Sequence, residues 1–136
     1  MTYALDANTI SYILRNEGGV KERWRQEEVS GNKSIIPLIA YYEVKRGLLA
    51  KGATTKLRYF DELCDVLGTN VMTISEINTA SKIYSNLMNQ GLLIDDADIL
   101  IAAQCIENGY TLVTGNTRHF ERIDGLKLVD WYEAVK

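Results

Sequence analysis

Short strand patterns alternate with longer helical patterns along this chain of 136 residues. Parallel strands need a crossover connection, which is usually a helix, so the alternation predicts an α/β fold. We expect a three-layer α/β/α domain with a central, mainly parallel sheet of four to five strands. The predicted strands lie at 2–5, 33–36, 71–74, 111–114 and 127–129. The predicted helices lie at about 8–16, 19–30, 38–51, 53–67, 76–90 and 95–108, with a helical turn at 117–121.

The length and composition are those of one domain, which we expect to span residues 1–136. We find no repeat, linker or apolar run long enough for a membrane span, and no basic segment followed by an apolar one at the N-terminus. Cys64 and Cys105 lack any metal-ligand spacing. They predict two reduced thiols in a cytoplasmic protein.

The formal net charge of −3 argues against a protein that coats nucleic acid indiscriminately. It does not exclude a nuclease, because carboxylates committed to metal ions raise the acid count. Lys45, Arg46 and Arg118 are candidates for holding an RNA backbone. The alternative for each is an ordinary solvated helix face.

Two polar residues come directly after predicted strands. Asp6 closes the strand at 2–5, and Asn116 follows the strand at 111–114. In open parallel sheets, ligands bind beyond the carboxyl ends of the strands, where the strand order switches. Both side chains are therefore expected at the edge that binds a ligand, although Asn116 could also be a plain turn residue.

Two further acids fall within helical patterns, on faces that are otherwise apolar or small. Asp98 shares its face with Ile101, Ala102 and Cys105, which points it toward the core. Its alternative role is that of a capping-box partner. Glu43 shares its face with Gly47, and a glycine inside a helix costs about 1 kcal/mol relative to alanine. Gly47 therefore leaves room for a substrate backbone or a packed element, unless Glu43 is a surface acid that pairs with Arg46.

Converging carboxylates need a compensating charge. Two of them about 4 Å apart repel by roughly 4 kcal/mol at an effective dielectric of about 20. They either take up protons or bind a cation, and an all-oxygen ligand set selects Mg²⁺ or Mn²⁺. Such a site activates water and supports phosphodiester hydrolysis. Asn116 would be a neutral ligand or a residue that positions water.

Several other chemistries are disfavoured. His119 is the only histidine, which excludes a two-histidine ribonuclease mechanism. No G-x-S-x-G turn, activated cysteine or phosphate-binding glycine loop is present, so acyl-transfer triads and nucleotide cofactors are not expected. We expect His119 to cap a helix or stack on RNA.

With these residues identified, the chain resembles the PIN-domain ribonucleases, and among them the VapC-type toxins of bacterial toxin–antitoxin pairs. The resemblance spans nearly the whole length. Its motifs are, in order, Leu5-Asp6-Ala7-Asn8-Thr9, Tyr42-Glu43-Val44-x-x-Gly47, Asp98-x-x-Ile101-Ala102-Ala103, Leu112-Val113-Thr114-Gly115-Asn116-Thr117-Arg118-His119-Phe120, and Gly125-Leu126-Lys127-Leu128 followed by Trp131.

The resemblance implies that Asp6, Glu43 and Asp98 form an acidic catalytic cluster that binds Mg²⁺ or Mn²⁺. Asn116 stands where many PIN domains carry a fourth acid. Supporting roles around the first acid fall to three polar residues, which are Asn8, Thr9 and Thr114. The family also implies a homodimer, cleavage of structured RNA (frequently transfer RNA), and inhibition by a VapB antitoxin. The antitoxin would lay a helical tail in an apolar groove and direct a basic side chain toward the acids.

Two other functions remain open on the sequence. The segment Asp6-x-Asn8 loosely resembles the signature of haloacid-dehalogenase phosphohydrolases, in which Asp6 would be a covalent nucleophile. That family wants an acid where Asn8 stands. The other alternative is a PIN fold that holds RNA or a protein partner without cutting.

Overall fold

The computed structural model describes residues 1–133, and within them the chain forms five strands and seven helices. The strands are β1 (Thr2–Leu5), β2 (Lys33–Pro37), β3 (Thr69–Asn70), β4 (Thr111–Val113) and β5 (Lys127–Val129). The helices are α1 (Ala7–Arg15), α2 (Val20–Val29), α3 (Leu38–Ala50), α4 (Thr54–Leu67), α5 (Ile74–Asn89), α6 (Asp96–Asn108) and α7 (Thr117–Phe120).

The strands form one sheet in the order β3-β2-β1-β4-β5, and every neighbouring pair is parallel. In register, Ala4 lies opposite Ile35 on one side and Leu112 on the other. The chain builds outward from β1 to β2 and β3, then returns to add β4 beside β1. The switch in strand order therefore lies between β1 and β4. The predicted α/β class with a parallel central sheet is confirmed.

The two central strands are buried on both faces. Tyr3, Ala4 and Leu5 of β1 are all buried, as is every residue of β4. Because successive side chains of a strand point to opposite faces, continuous burial shows that helices cover both sides of the sheet. Large side chains that complete the core include Ile10, Ile36, Phe60, Leu87 and Ile101.

The strand predicted at 71–74 is wrong, because β3 is a two-residue strand at Thr69–Asn70. The β-branched residues Val71 and Ile74 imitate a strand, but both are largely exposed. Thr73 between them caps α5, with its hydroxyl oxygen accepting a hydrogen bond from the Glu76 N–H at 3.2 Å. The local cap begins a helix where the residue types alone favour a strand.

Cys64 and Cys105 are free thiols, and burial raises the pKa of Cys64 to about 11 and that of Cys105 to about 12. Both are therefore inert structural residues. Among the helices of the described chain, none has both the length and the apolar content that crossing a bilayer requires.

Candidate active site

Asp6 lies at the switch in strand order and is buried. It directly follows β1 and is the N-cap of α1, where its Oδ1 accepts a hydrogen bond from the Thr9 N–H at 2.8 Å. Its own N–H donates to the Val113 carbonyl at 3.2 Å. The residue is thus fixed to both the first helix and the neighbouring strand β4, which leaves its carboxylate little freedom to reorient.

The predicted supporting residues surround this carboxylate. The Thr9 hydroxyl donates to the Val113 carbonyl at 3.0 Å, so the start of α1 is tied to the end of β4. Thr114 is fully buried, and its hydroxyl oxygen accepts the Asn116 N–H at 3.0 Å. Asn8 is exposed at the mouth of the site. Thr9 and Thr114 therefore hold the two loops on which Asp6 and Asn116 stand.

A cavity of about 200 Å³ lies at this edge of the sheet. It brings together residues from α1, α3, α6 and the loop after β4, although these segments are far apart in sequence. All four oxygen-bearing side chains selected from the sequence line it. The lining residues are Asp6, Ala7, Asn8, Glu43, Asp95, Asp98 and Asn116.

Three carboxyl groups in this cavity, those of Asp6, Glu43 and Asp98, have raised pKa values. Burial raises the pKa of Asp6, against hydrogen bonds from Thr114 and Thr9 that lower it. Burial likewise raises the pKa of Glu43, and the neighbouring Asp98 and Asp6 carboxylates add to that rise. These shifts are typical of acids crowded into a partly dry site, where a cation or a proton stabilises them.

Asp98 responds to the same neighbours. Burial, Asp95 and Asp6 raise the pKa of Asp98, whereas His119 lowers it. Asp98 begins the buried face of α6 that continues in Ile101 and Ala102. Its position in the first turn of that helix favours a negative charge, which partly offsets the cost of burial.

Glu43 combines both roles that the sequence left open. It lines the acidic cavity, and its carboxylate also lies 4.0 Å from the Arg46 guanidinium. Arg46 lowers the pKa of Glu43, but burial and the neighbouring acids outweigh it. A long ion pair with an exposed arginine contributes little to stability. Glu43 therefore faces the cavity as a carboxylate that is only partly compensated.

Asn116 turns its amide group toward His119. The Asn116 Nδ2 donates to the His119 Nδ1 at 2.8 Å. Because the amide nitrogen faces the imidazole, the amide oxygen is the atom that Asn116 can offer to a metal or to water. His119 is exposed and holds this orientation.

Two further acids at the site were missed by the sequence reasoning. Asp95 occupies the N-cap position of α6, where an acid is expected for local reasons alone. However, its side chain accepts no capping hydrogen bond and lines the cavity instead. Asp130 directly follows β5 and raises the pKa of Asp6. The rule that selected Asp6 and Asn116, a polar residue just beyond a parallel strand, also applies to Asp130.

The three predicted RNA-binding residues have different surroundings. Arg46 is exposed beside the cavity and packs over the Tyr42 ring at 5.0 Å. Arg118 is exposed on α7, the helix that follows Asn116. Lys45 instead forms an ion pair with Asp61 of α4 at 3.2 Å, so its charge is already partly neutralised.

The donor set of the cavity fits a hard divalent cation. Four carboxylates and two side-chain amides line it, and no sulfur or imidazole group of residues 1–133 is among its lining residues. Within residues 1–133, no three acidic, thiol or imidazole groups are close enough together to hold a metal ion by themselves. Mg²⁺ and Mn²⁺ bind oxygen ligands and keep several waters, so they can be held by fewer direct protein ligands. Asp6, Glu43 and Asp98 would hold the ion, with Asn116 as a neutral ligand.

The sequence is similar to a known protein family and to several characterised relatives. Residues 3–126 match the PIN domain family. The chain is 40% identical over 138 aligned positions to ribonuclease VapC2 of Rickettsia felis, with 96% of this chain and 98% of that protein covered. It is 26% identical to the tRNA(fMet)-specific endonuclease VapC of Shigella flexneri over 96% of this chain and 98% of the relative.

A solved structure gives the same result for the fold. The chain superposes with a TM-score of 0.88 on a chain of the Rickettsia felis VapBC2 complex bound to promoter DNA. The superposition covers 96% of this chain and 99% of that chain, at 25% sequence identity. The family match spans most of the chain, and the Rickettsia relative is similar along nearly its entire length. The chain therefore belongs to the PIN-domain family, and within it to the VapC ribonucleases.

Proposed function

We propose that this protein is a divalent-metal-dependent endoribonuclease toxin that hydrolyses phosphodiester bonds of structured RNA, with transfer RNA as its substrate class. The unit of function is a single PIN domain over residues 1–136. The observation that carries the proposal is the convergence of Asp6, Glu43, Asp98 and Asn116 on one cavity at the switch in strand order. The two free thiols are consistent with action in the reducing cytoplasm.

The three acids Asp6, Glu43 and Asp98 have two kinds of role in this reaction. A bound Mg²⁺ or Mn²⁺ would supply a nucleophilic water and neutralise charge on the phosphate. Asp6 is held in place by its hydrogen bonds to α1 and β4, so it would be a metal ligand with a fixed position. Burial raises the pKa of Glu43 and of Asp98, which makes each carboxylate a stronger base toward a neighbouring water than an ordinary one.

The substrate class rests on two supports. The Shigella relative is named as a tRNA(fMet)-specific endonuclease. The other is exposed positive charge next to the acids, in Arg46 and Arg118, which suits a phosphate backbone.

A VapB-type antitoxin is the proposed inhibitor, and an apolar groove between α1, α2 and α4 would receive its helical tail. The groove has a volume of about 480 Å³ and is lined in part by Ile13, Trp24, Tyr59, Leu63 and Val66. Tyr59 and Val66 are more than half exposed, which is unusual for large apolar side chains that lie together. An amphipathic helix buries such a surface by placing its apolar face in the groove.

A homodimer is also part of the proposal, and α5 offers a surface for it. Ile74, Ile77, Tyr84 and Met88 are exposed, and with Ser81 they recur at the 3-4-3-4 spacing of a helix–helix seam. The helix carries only two charged residues, Glu76 and Lys82, and Glu76 is buried. Depletion of charge around an apolar stripe is typical of the core of an interface.

The experiment that tests the nuclease proposal compares three forms of the protein. Purified wild type, Asp98→Asn and Asp96→Asn are incubated with total transfer RNA and Mn²⁺, and the products are resolved by electrophoresis. Asp96 is a matched control because it lies in the same helical turn but lines a different cavity, against α5. We expect cleavage by wild type and Asp96→Asn. Asp98→Asn should cleave at least about a hundredfold more slowly, because loss of a ligand costs more than loss of an outer-shell partner.

Cleavage by Asp98→Asn at the wild-type rate would remove Asp98 from the reaction. Binding of transfer RNA without cleavage by the wild type, with or without Mn²⁺, would favour a non-cleaving binding module instead. A phosphoryl-enzyme adduct trapped on Asp6 would favour the phosphohydrolase alternative.

A further inference from the structure

A second cavity, of about 260 Å³, lies directly beside the acidic one. It is formed between α1 and α3, and it shares Ala7, Asn8 and Glu43 with the acidic cavity. The two cavities are therefore neighbouring compartments of one cleft. A chain-like ligand that is cut in the first must continue past its rim, and the second lies on that rim.

The charge changes sign between the two compartments. The second is lined by Arg46 and Lys51, and among residues 1–133 Glu43 on the shared wall is the one acid that lines it. Arg46 is exposed, and its contact with Glu43 is long at 4.0 Å, so its guanidinium can turn toward a ligand. Positive charge one step beyond a carboxylate cluster suits an anionic polymer whose scissile phosphate lies among the acids.

Gly47 keeps this second compartment open. It lies inside α3 with ordinary helical geometry, so no unusual backbone angle requires a glycine. A Cβ placed on Gly47 would have no atom within 4 Å, so no packed element of the described chain requires the glycine either. Neither backbone conformation nor packing therefore explains Gly47. A ligand that enters the compartment from solvent would explain it.

We propose that the cavity between α1 and α3 binds the nucleotide that adjoins the scissile phosphodiester, with Arg46 and Lys51 on its phosphate and Gly47 as the open floor. This inference rests on the proposed nuclease function. The volume lies below the roughly 300–1,000 Å³ of sites that enclose a whole small molecule, so it suits one unit of a longer ligand. RNA is favoured over a peptide because a peptide anchor needs an apolar pocket, and this compartment has a basic rim.

The first test adds bulk inside the compartment. The Kd of a short phosphorothioate-linked oligouridylate, which resists hydrolysis, is measured with Mg²⁺ by fluorescence anisotropy. Gly47→Leu should weaken binding by about tenfold. Ala50→Leu adds a larger side chain to the exposed end of the same helix and should stay within about twofold of wild type. Gly47→Ala should fall between them, and unchanged heat of Mn²⁺ binding shows that the acidic cavity is intact.

The second test removes one phosphate contact without adding bulk. Lys51→Gln should reduce the slope of log Kd against log salt by about 0.7, the value for one phosphate of a single strand. Lys56→Gln, an exposed lysine at the start of α4 that does not line the compartment, should leave the slope unchanged.

The outcomes separate this inference from the nuclease proposal. If Gly47→Leu binds the probe as tightly as wild type, the cavity does not bind a nucleotide and the proposed subsite is wrong. A protein partner would then be the better candidate for its ligand. If binding depends on Gly47 and Lys51 but wild type cleaves no RNA, the subsite stands and the nuclease proposal fails.

Discussion

Asp6 combines structural and chemical roles in one side chain. Its Oδ1 caps α1 through the Thr9 N–H, which satisfies one of the free amides at the helix start. The same carboxylate is buried against other acids, and its pKa is raised in consequence. A helix cap that served stability alone would lie at the surface, where its carboxylate stays hydrated when it ionises. The burial of Asp6 therefore indicates a second, chemical role.

The metal-free protein should lose stability as the pH rises. Asp6, Glu43 and Asp98 have pKa values in the folded state above their ordinary values. Below the ordinary carboxyl range these groups are protonated in both states, and their stabilising contribution is fully present. As the pH rises through the folded pKa values, each must ionise inside the cavity, and that contribution is lost.

Replacing Asp98 with asparagine should therefore stabilise the metal-free protein at neutral pH. We expect the free energy of unfolding to rise by about 1 kcal/mol, the size of a typical single-site effect. The gain should be smaller at pH 4, because the raised pKa leaves more of the wild-type Asp98 carboxyl protonated there. Urea unfolding with EDTA at both pH values checks this. A variant that is destabilised at neutral pH would show that Asp98 is not under electrostatic strain.

Introducing an acid at Asn116 should have the opposite effect on stability. Asn116→Asp adds negative charge to the cavity and removes the hydrogen bond to His119. We expect tighter Mn²⁺ binding, because ligand charge tunes cation affinity, and lower stability without metal, by about 1 kcal/mol. Calorimetric titration and EDTA unfolding measure the two effects. Unchanged Mn²⁺ affinity would place Asn116 outside the ligand set.

Site residues could be predicted from the sequence where a charged side chain lies on an otherwise apolar face of a predicted helix. A carboxylate on an apolar helix face, such as Asp98, is visible because burial without compensation is costly. The place of Asp95 in the cavity could not be predicted, because helix capping alone explains an acid at that position. Its turn into the cavity depends on tertiary packing, which no local pattern encodes.

At the level of elements, the link between α1 and α2 fixes the end of the chain. Gly18 and Gly19 both have positive φ angles, of 68° and 69°. Tyr132 packs on Tyr12 with ring centroids 4.7 Å apart, and the Gly18 carbonyl accepts the Glu133 N–H at 2.8 Å. The two adjacent glycines therefore share one backbone conformation, but only Gly18 lies under the terminal segment.

This pair offers a matched substitution. Gly19→Ala should cost about 1–2 kcal/mol, because alanine disfavours a left-handed conformation and its Cβ meets no other atom. Gly18→Ala should cost a further 1–3 kcal/mol or so, because its Cβ would overlap the Tyr132 ring. Thermal unfolding of both variants measures the difference. Equal costs would mean that Tyr132 does not pack on Gly18 in solution.

Long elements were predictable, and the shortest strand was not. The helices at 38–51 and 95–108 were placed within one residue of α3 and α6, because their apolar faces persist over several turns. β3 has only two residues, and its pairing with Ile36 and Pro37 is set by β2 rather than by its own sequence. Two residues carry no periodicity, so a neighbouring β-branched segment was chosen instead.

On the scale of the whole molecule, the apolar stripe on α5 predicts self-association. Ile77→Glu places a charge inside the seam and should convert a dimer into a monomer, measured by analytical ultracentrifugation. Val29→Glu is the control, since Val29 is 89% exposed on α2, away from the stripe. A dimer that survives Ile77→Glu would assign the interface to another face.

The sheet order explains why the acids meet. Asp6 and Asn116 follow neighbouring strands β1 and β4, on either side of the switch in strand order. Helices α3 and α6 bring Glu43 and Asp98 to the same cleft. We infer that a bound divalent cation stabilises this convergence of carboxylates.

Calorimetric titration with Mn²⁺ tests this inference, with wild type, Asp98→Asn and Asp96→Asn compared at neutral pH. We expect saturable heat for wild type and for Asp96→Asn, with a gain in folding free energy of about 2.7 kcal/mol at a hundredfold excess over Kd. We expect no saturable heat for Asp98→Asn. Equal Mn²⁺ binding by all three proteins, or none by the wild type, would contradict it.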